Sequence, residues 1–321
     1  MRTTLLMLPP QTETTRAWVE RLAAVSPELD IIAPETMEGA EQAIAMAEAA
    51  YGTIPPALLK RAEKLRWLQA PQAAPPAGYY YRELIEHPVA ITNFREIYND
   101  HIGAHVMAFV LAFARGLHVY LPQQQRREWK KQPERRVVHL PEATALIVGV
   151  GGIGAEVARL ASAFGMRVIG VDERRAAPPP GVTELHRAAA LDALLPQADF
   201  VILTVPHTPE TEGLMNRARF QRMKKSAYFI NIGRGMTTRL DDLVAALEAG
   251  EIAGAALDVF EQEPLPAGHK LWTMPGVMIT PHTAGHGPYL EERRFEVLSD
   301  NCRRFLAGQP LRNLVDKARW F

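Results

Sequence analysis

Apolar and polar positions along the chain change period in a regular way. Residues 5–8 (LLML) form a short apolar run cut off by Pro9 and Pro10, which predicts a buried strand. Trp18, Leu22 and Val25 then fall at helical spacing, residues 29–33 predict a second strand, and the alanine-rich residues 40–50 predict a second helix. This alternation is the βα rhythm of a parallel sheet. Residues 65–70 and 89–93 predict two more strands, separated by a loop at residues 71–81 that is rich in Pro, Ala and Tyr. From Asp100, read as an N-cap, a helix with Val106, Phe109, Val110 and Phe113 on its apolar side runs to about Gly116, long enough to link two domains.

Residues 123–136 (QQQRREWKKQPERR) carry six basic and two acidic side chains with almost no apolar periodicity, so they read as a solvated arm. Beyond them, apolar strand candidates recur at residues 145–150, 167–171, 200–205, 227–232, 254–259 and 277–280. Six strands interleaved with helices is the count of a doubly wound dinucleotide fold. The last helical segment, residues 290–306, places Phe295, Leu298, Cys302 and Phe305 on one buried face, which makes Cys302 a core residue.

Composition narrows the classes. With 321 residues, 47% hydrophobic and 22% charged, the chain can form two domains that each bury a core, so disorder and a disulfide-stapled miniprotein are excluded. Thirty-six basic and 36 acidic residues balance to zero, leaving no field to steer the protein onto nucleic acid or anionic lipid. One cysteine can form neither an intramolecular disulfide nor a thiolate metal cage. No apolar stretch approaches the roughly 18 residues a membrane span needs. The expectation is a soluble, cytoplasmic protein without a nucleic-acid or membrane partner. His101 with His105, and His282 with His286, have metal-like four-residue spacing, but no third ligand accompanies either pair and no metal is expected.

The most specific signal is G-x-G-x-x-G, formed by Gly149, Gly151 and Gly154 directly after an apolar strand and before a helical stripe. Gly149 permits a tight turn, Gly151 lets the backbone approach a pyrophosphate, and Gly154 lets helix and strand pack closely. Gly152 and Ile153 open the helix, whose N-terminus supplies unpaired N–H groups. A second strand ends in Val171-Asp172, where a carboxylate can accept hydrogen bonds from both hydroxyls of an adenosine ribose. That charge favours NAD, while Arg174 and Arg175 just beyond it leave NADP open.

Ligands of open parallel sheets bind outside the carboxyl ends of the strands. There the sequence places Arg234 after the fourth of these strands, Asp258 and Glu263 after the fifth, and His282 after the sixth. Such a set suits hydride transfer between a nicotinamide and a 2-oxo or 2-hydroxy acid. Reducing a ketone leaves negative charge on its oxygen, to which a protonated His282 delivers a proton. Glu263 beside the imidazole favours the imidazolium form and fixes the ring. Arg234 offers a planar fork to the substrate carboxylate, and Asp258 faces the nicotinamide carboxamide.

These residues resemble the D-isomer-specific 2-hydroxyacid dehydrogenases, a family that includes glyoxylate/hydroxypyruvate reductases. The matching segments are residues 148–154, 205–211, 231–235, 256–260 with Glu263-Pro264, and 280–285. The resemblance implies Arg234, Glu263 and His282 as the catalytic triad. It also implies cofactor contacts from Val205, Pro206, Thr211, Ile232, Gly233 and Gly285. Its implied fold is α/β with two doubly wound parallel-sheet domains: a Rossmann-like cofactor domain at residues 105–289, and a flavodoxin-like, discontinuous substrate domain at 1–104 and 290–321. Further implications are a homodimer and a small 2-oxo or 2-hydroxy acid substrate, held at Gln72, Ala73 and Ala74 together with Arg234 and His282. The chain departs from the family where Pro75 and Pro76 follow that loop, since proline offers no N–H, and where Ala104 replaces a customary glutamate. Tyr79, Tyr80 and Tyr81 are read as packing under the loop. Formate dehydrogenases resemble a different site, with glutamine in place of the acid, which Glu263 argues against. The rival reading is an NAD(H)-sensing binding protein of the same fold; the intact acid–base set favours the enzyme.

Overall fold

The structure, a computed structural model, describes residues 2–73, 78–134 and 137–318. The chain divides into two compact units, Met1–Ile97 with Pro288–Phe321, and Tyr98–Gly287.

The first unit is built on strands β1 (Thr3–Met7), β2 (Leu29–Ile32), β3 (Ala49–Tyr51), β4 (Trp67–Gln69) and β5 (Ala90–Thr92). All pairings are parallel, in the order β2-β1-β3-β4-β5, which is the flavodoxin-like arrangement. Helix Glu13–Val25 starts at a reciprocal cap in which the Thr12 hydroxyl accepts from the Thr15 N–H and the Thr15 hydroxyl accepts from the Thr12 N–H. It buries Trp18 and Leu22. The expectation of a helix over residues 40–50 is corrected. The helix is Met37–Ala43, a 3-10 turn follows at Ile44–Met46, and Ala49–Tyr51 is a central strand. The two alanines have little strand preference of their own; hydrogen bonds from β1 on one side and β4 on the other make this segment a strand.

The tyrosine stretch packs against the loop after β3. Tyr79 is buried and donates its hydroxyl to Gly52 O at 3.0 Å, and Tyr81 donates to Ile54 O at 2.9 Å, so both brace the loop after β3. Helix Leu290–Leu306 returns to this unit late in the sequence. Asn301, fully buried, ties it in by donating to Gln69 Oε1 at 3.2 Å and accepting from Arg312 N at 2.7 Å. Cys302 lies in the core, where burial pushes its thiol up to about 12.

The second unit contains β6 (Thr144–Val148), β7 (Arg167–Val171), β8 (Glu184–His186), β9 (Phe200–Leu203), β10 (Tyr228–Asn231), β11 (Gly254–Leu257) and β12 (Val277–Ile279). They pair in parallel in the order β12-β11-β10-β9-β6-β7-β8. That is seven strands where the apolar runs predict six. The missed one, β8, is a half-buried Glu-Leu-His at the sheet edge whose strand character comes from pairing with β7. Helix Asn99–Ala114 begins after Tyr98, so Asp100 is not its N-cap but lies in the first turn, where a negative charge still favours the helix N-terminus. Phe113 stacks on Tyr228 at 4.2 Å and anchors this helix to β10. Helix Leu117–Gln125 follows, with Leu121 55% exposed; beyond it Trp129 stands 94% exposed in the basic arm. Among the described residues, no single helix is long and apolar enough to cross a membrane.

The strand order reverses direction between β6 and β9. The loops leaving these two strands therefore diverge at the carboxyl edge of the sheet, which opens a crevice there.

Candidate active site

The glycine loop occupies that crevice. Gly149 has φ +93° and donates to Val171 O at 2.8 Å, and a Cβ on it would come within 2.8 Å of Val205 Cγ1. Gly154, in the first turn of helix Gly152–Ala163, is packed so closely that a Cβ would lie 2.0 Å from Gly149 O. Ile153 is half-buried between them. Gly151 is the opposite case: it is the helix N-cap, and its Cβ would meet nothing within 4 Å. Open space in front of a helix N-terminus, flanked by Gly149 and Gly154 where a side chain would clash, fits a dinucleotide pyrophosphate.

Asp172 stands at the end of β7 as expected, and its carboxylate also organises the loop. Oδ2 accepts from Val150 N at 2.8 Å, while Oδ1 accepts from Arg174 N at 2.9 Å and Arg175 N at 3.0 Å. Burial opposes ionisation here, but the three backbone N–H groups outweigh it, and with Arg174 they hold the carboxyl below its ordinary range. Arg175 Nε donates to Val150 O at 2.5 Å, and Arg187 donates to Glu173 O at 2.6 Å.

Of the three groups after β10, β11 and β12, Glu263 and His282 are in contact, and Arg234 lies in the electrostatic field of Glu263. His282 Nδ1 lies 2.6 Å from Glu263 Oε2, and Glu263 Oε1 accepts from Phe260 N at 3.0 Å. The carboxylate takes the Nδ1 side of the ring, which leaves Nε2 as the outward nitrogen. Half-buried Arg234 feels the same carboxylate: desolvation lowers its pKa and Glu263 raises it. Its Nη1 donates to Gly233 O at 2.6 Å, which fixes the guanidinium plane. The arrangement combines a cation for a substrate carboxylate with an acid–base pair for a carbonyl oxygen.

Asp258 is 1% exposed and is mostly consumed by the histidine loop. Oδ1 accepts from the Thr280 hydroxyl at 2.6 Å and Thr283 N at 2.8 Å, Oδ2 accepts from Ala284 N at 3.0 Å, and its carbonyl accepts from His282 N at 2.9 Å.

Residues 107–284 match the profile of the D-isomer specific 2-hydroxyacid dehydrogenase, NAD binding domain. The chain belongs to the D-isomer specific 2-hydroxyacid dehydrogenase family. It is 36% identical to glyoxylate/hydroxypyruvate reductase B of Citrobacter koseri, over 88% of this chain and 89% of that one. A D-isomer specific 2-hydroxyacid dehydrogenase from Xanthobacter autotrophicus, solved with NADPH and MES, superposes with a TM-score of 0.86 at 29% identity, covering all of both chains. The NADPH-dependent glyoxylate/hydroxypyruvate reductase of Sinorhizobium meliloti, solved with NADP and sulfate, superposes with a TM-score of 0.83 at 27% identity, again over 100% of both chains.

Against this dehydrogenase background, several residues reveal roles the motif reading did not assign. Asn231, fully buried, donates from Nδ2 to Arg234 O at 3.1 Å and to the Thr238 hydroxyl at 3.0 Å, and accepts from Gly233 N at 3.0 Å. It shapes the turn that carries Arg234; the Asn-Ile-Gly-Arg-Gly string was visible, but its partners were not. Thr211 donates its hydroxyl to Pro206 O at 2.6 Å and accepts from Thr208 N at 2.8 Å, so it braces the loop after β9. Val205 closes the glycine crevice, and its carbonyl would lie 2.5 Å from a Cβ on Gly233. Ile232 is buried, and a Cβ on Gly285 would lie 3.5 Å from Tyr98. In the first unit, Gln72 and Ala73 follow β4, with Ala73 O accepting from Asn93 Nδ2 at 2.9 Å. Ala74 lies outside the described residues. No group of three metal-ligating side chains occurs among the described residues.

Proposed function

We propose that this chain is a cytoplasmic reductase of small 2-oxo acids, of the size of glyoxylate or hydroxypyruvate, which yields the D-2-hydroxy acid with a nicotinamide cofactor and works reversibly. The observation that carries this reading is the 2.6 Å contact between His282 Nδ1 and Glu263 Oε2 with Arg234 in the field of the same carboxylate. The names of the reductases from Citrobacter koseri and Sinorhizobium meliloti support the substrate class.

The residues divide the work. Arg234 binds and orients the substrate carboxylate. His282 donates a proton from Nε2 to the carbonyl oxygen on reduction, and the neutral imidazole recovers it on oxidation. Glu263 holds the ring at Nδ1. The second unit holds the cofactor through Gly149 to Gly154, Asp172, Val205, Pro206, Ile232, Gly233 and Gly285. When bound, the nicotinamide supplies or takes up the hydride. The remaining acceptor position on Asp258 Oδ2 suits its carboxamide.

NAD(H) is the proposed first choice. Asp172, held ionised by three backbone N–H groups, repels a 2′-phosphate. Arg174, Arg175 and Arg187 around the same turn keep NADP(H) as the second cofactor. We also propose a homodimer, because Leu121 and Trp129 expose large apolar surfaces that a second copy would cover. Light scattering of the purified protein should give the mass of two chains.

The deciding experiment follows NADH and NADPH oxidation against glyoxylate, hydroxypyruvate, pyruvate, phenylpyruvate and oxaloacetate. Turnover abolished by His282→Ala, in a variant that still binds NADH, supports the assignment. An inactive wild-type protein that binds NADH tightly would return the balance to a sensing role.

A further inference from the structure

His105 lies on helix Asn99–Ala114, and the sequence shows nothing beyond its four-residue spacing from His101. Its ring stands edge-on to Phe109 at 4.7 Å. Its Nε2 is 3.0 Å from Thr280 Oγ1, and the Thr280 hydroxyl donates to Asp258 Oδ1 at 2.6 Å. These three groups form a chain whose direction follows from proton counting. A hydroxyl has one proton and the Asp258 carboxylate can only accept, so the Thr280 proton points at Asp258. Thr280 Oγ1 must then accept from His105, which fixes the proton of the imidazole on Nε2. Burial lowers the pKa of His105, with Asp258 opposing, in keeping with a neutral ring.

The far end of the chain reaches the acid–base residue. Asp258 receives N–H groups from Thr283 and Ala284 on its side chain and from His282 on its carbonyl. These bonds enclose a turn in which His282 has φ +54°, a left-handed conformation that L side chains rarely adopt. Such a backbone persists only where its surroundings over-determine it.

We propose that His105, acting through Thr280, is a positioning residue for His282. Its Nε2–H keeps the Thr280 hydroxyl aimed at Asp258, and the fixed carboxylate holds the left-handed turn that presents the His282 imidazole to Glu263. The inference rests on the assignment of His282 as the proton donor and adds a residue two hydrogen bonds away from Asp258.

The test pairs His105→Leu, which removes the donor, with His105→Gln, whose Nε2 reaches the same position. His105→Leu is expected to lower kcat about tenfold, equivalent to about 1.4 kcal/mol, with NADH affinity by fluorescence titration changed less than about twofold. His105→Gln should recover most of that loss. Thr280→Val should match His105→Leu, and the double variant should be no worse than either alone, because both break one chain. Independently of turnover, 15N-edited NMR of histidine-labelled wild-type protein should place the His105 proton on Nε2. A proton on Nδ1 overturns the proposal. So does a folded His105→Leu variant with wild-type kcat, or a His105→Gln variant that fails as badly as His105→Leu. Wild-type protein with no turnover, yet with the Nε2 proton in place, would instead count against the role of His282.

Discussion

His282 Nδ1 and Glu263 Oε2 are 2.6 Å apart, and the other oxygen of that carboxylate is pinned by Phe260 N at 3.0 Å. The glutamate therefore cannot follow the ring if the ring turns; it sets the orientation. Glu263→Gln keeps an acceptor for the Nδ1 proton and removes the charge. Its kcat should fall about 100-fold with NADH affinity unchanged, within the usual range for loss of an acid–base component. Stopped-flow turnover and NADH titration check this, and an unaltered kcat would confine Glu263 to bracing its own turn.

Arg234 presents a fork whose plane is fixed by Gly233 O. Lysine at this position would place a point charge in a site that already desolvates the guanidinium. Arg234→Lys should raise KM for the 2-oxo acid about tenfold or more, equivalent to about 1.4 kcal/mol of lost binding. Its KM for NADH should stay near the wild-type value, so a change in the cofactor alone would count against the assigned role.

Asp172→Ala should weaken NADH binding and narrow the preference over NADPH, read from KM ratios. It has a stability consequence as well. A carboxyl held below its ordinary range contributes stability that is present above the unfolded-state value, about 4, and is lost as the pH falls through the folded value. Thermal melts from neutral pH down to about pH 3 should therefore show a steeper acid loss for wild type than for Asp172→Ala. Parallel curves would mean the carboxylate gains nothing from its three N–H partners.

Two glycines three residues apart should fail in different ways. In Gly154→Ala the new Cβ would lie 2.0 Å from Gly149 O, so strand and helix must separate and the melting temperature should drop. In Gly151→Ala nothing lies within 4 Å, so the melting temperature should hold while the methyl group blocks the space needed for the cofactor. Differential scanning fluorimetry with and without NADH separates the two. Equal NADH stabilisation in Gly151→Ala and wild type would remove that space from the cofactor site.

Whether a residue was legible depended on where its structural reason lies. The carboxyl-edge residues could be located because each follows an apolar strand, and strand ends are encoded locally by the break in hydrophobic pattern. Strand β3 could not be, because Ala-Ala-Tyr becomes a strand only through neighbours 42 to 46 residues earlier or 16 to 20 residues on, brought beside it by the sheet. The short edge strand β8 failed for the same reason, with β7 as its strand partner.

The sequence by itself determined the family, the parallel α/β class, the glycine loop with its acidic partner, and the identities of Arg234, Glu263 and His282. All of these reside in contiguous strings whose chemistry is local. Tertiary structure alone decided what holds those groups in place. Asp258 gathers the His282 loop, and His105 reaches Asp258 through Thr280 from a helix about 150 residues earlier in the chain. Hydrogen bonds between residues so far apart leave no periodicity to read, because the sheet and its covering helix, rather than the chain's order, bring the partners within 3 Å.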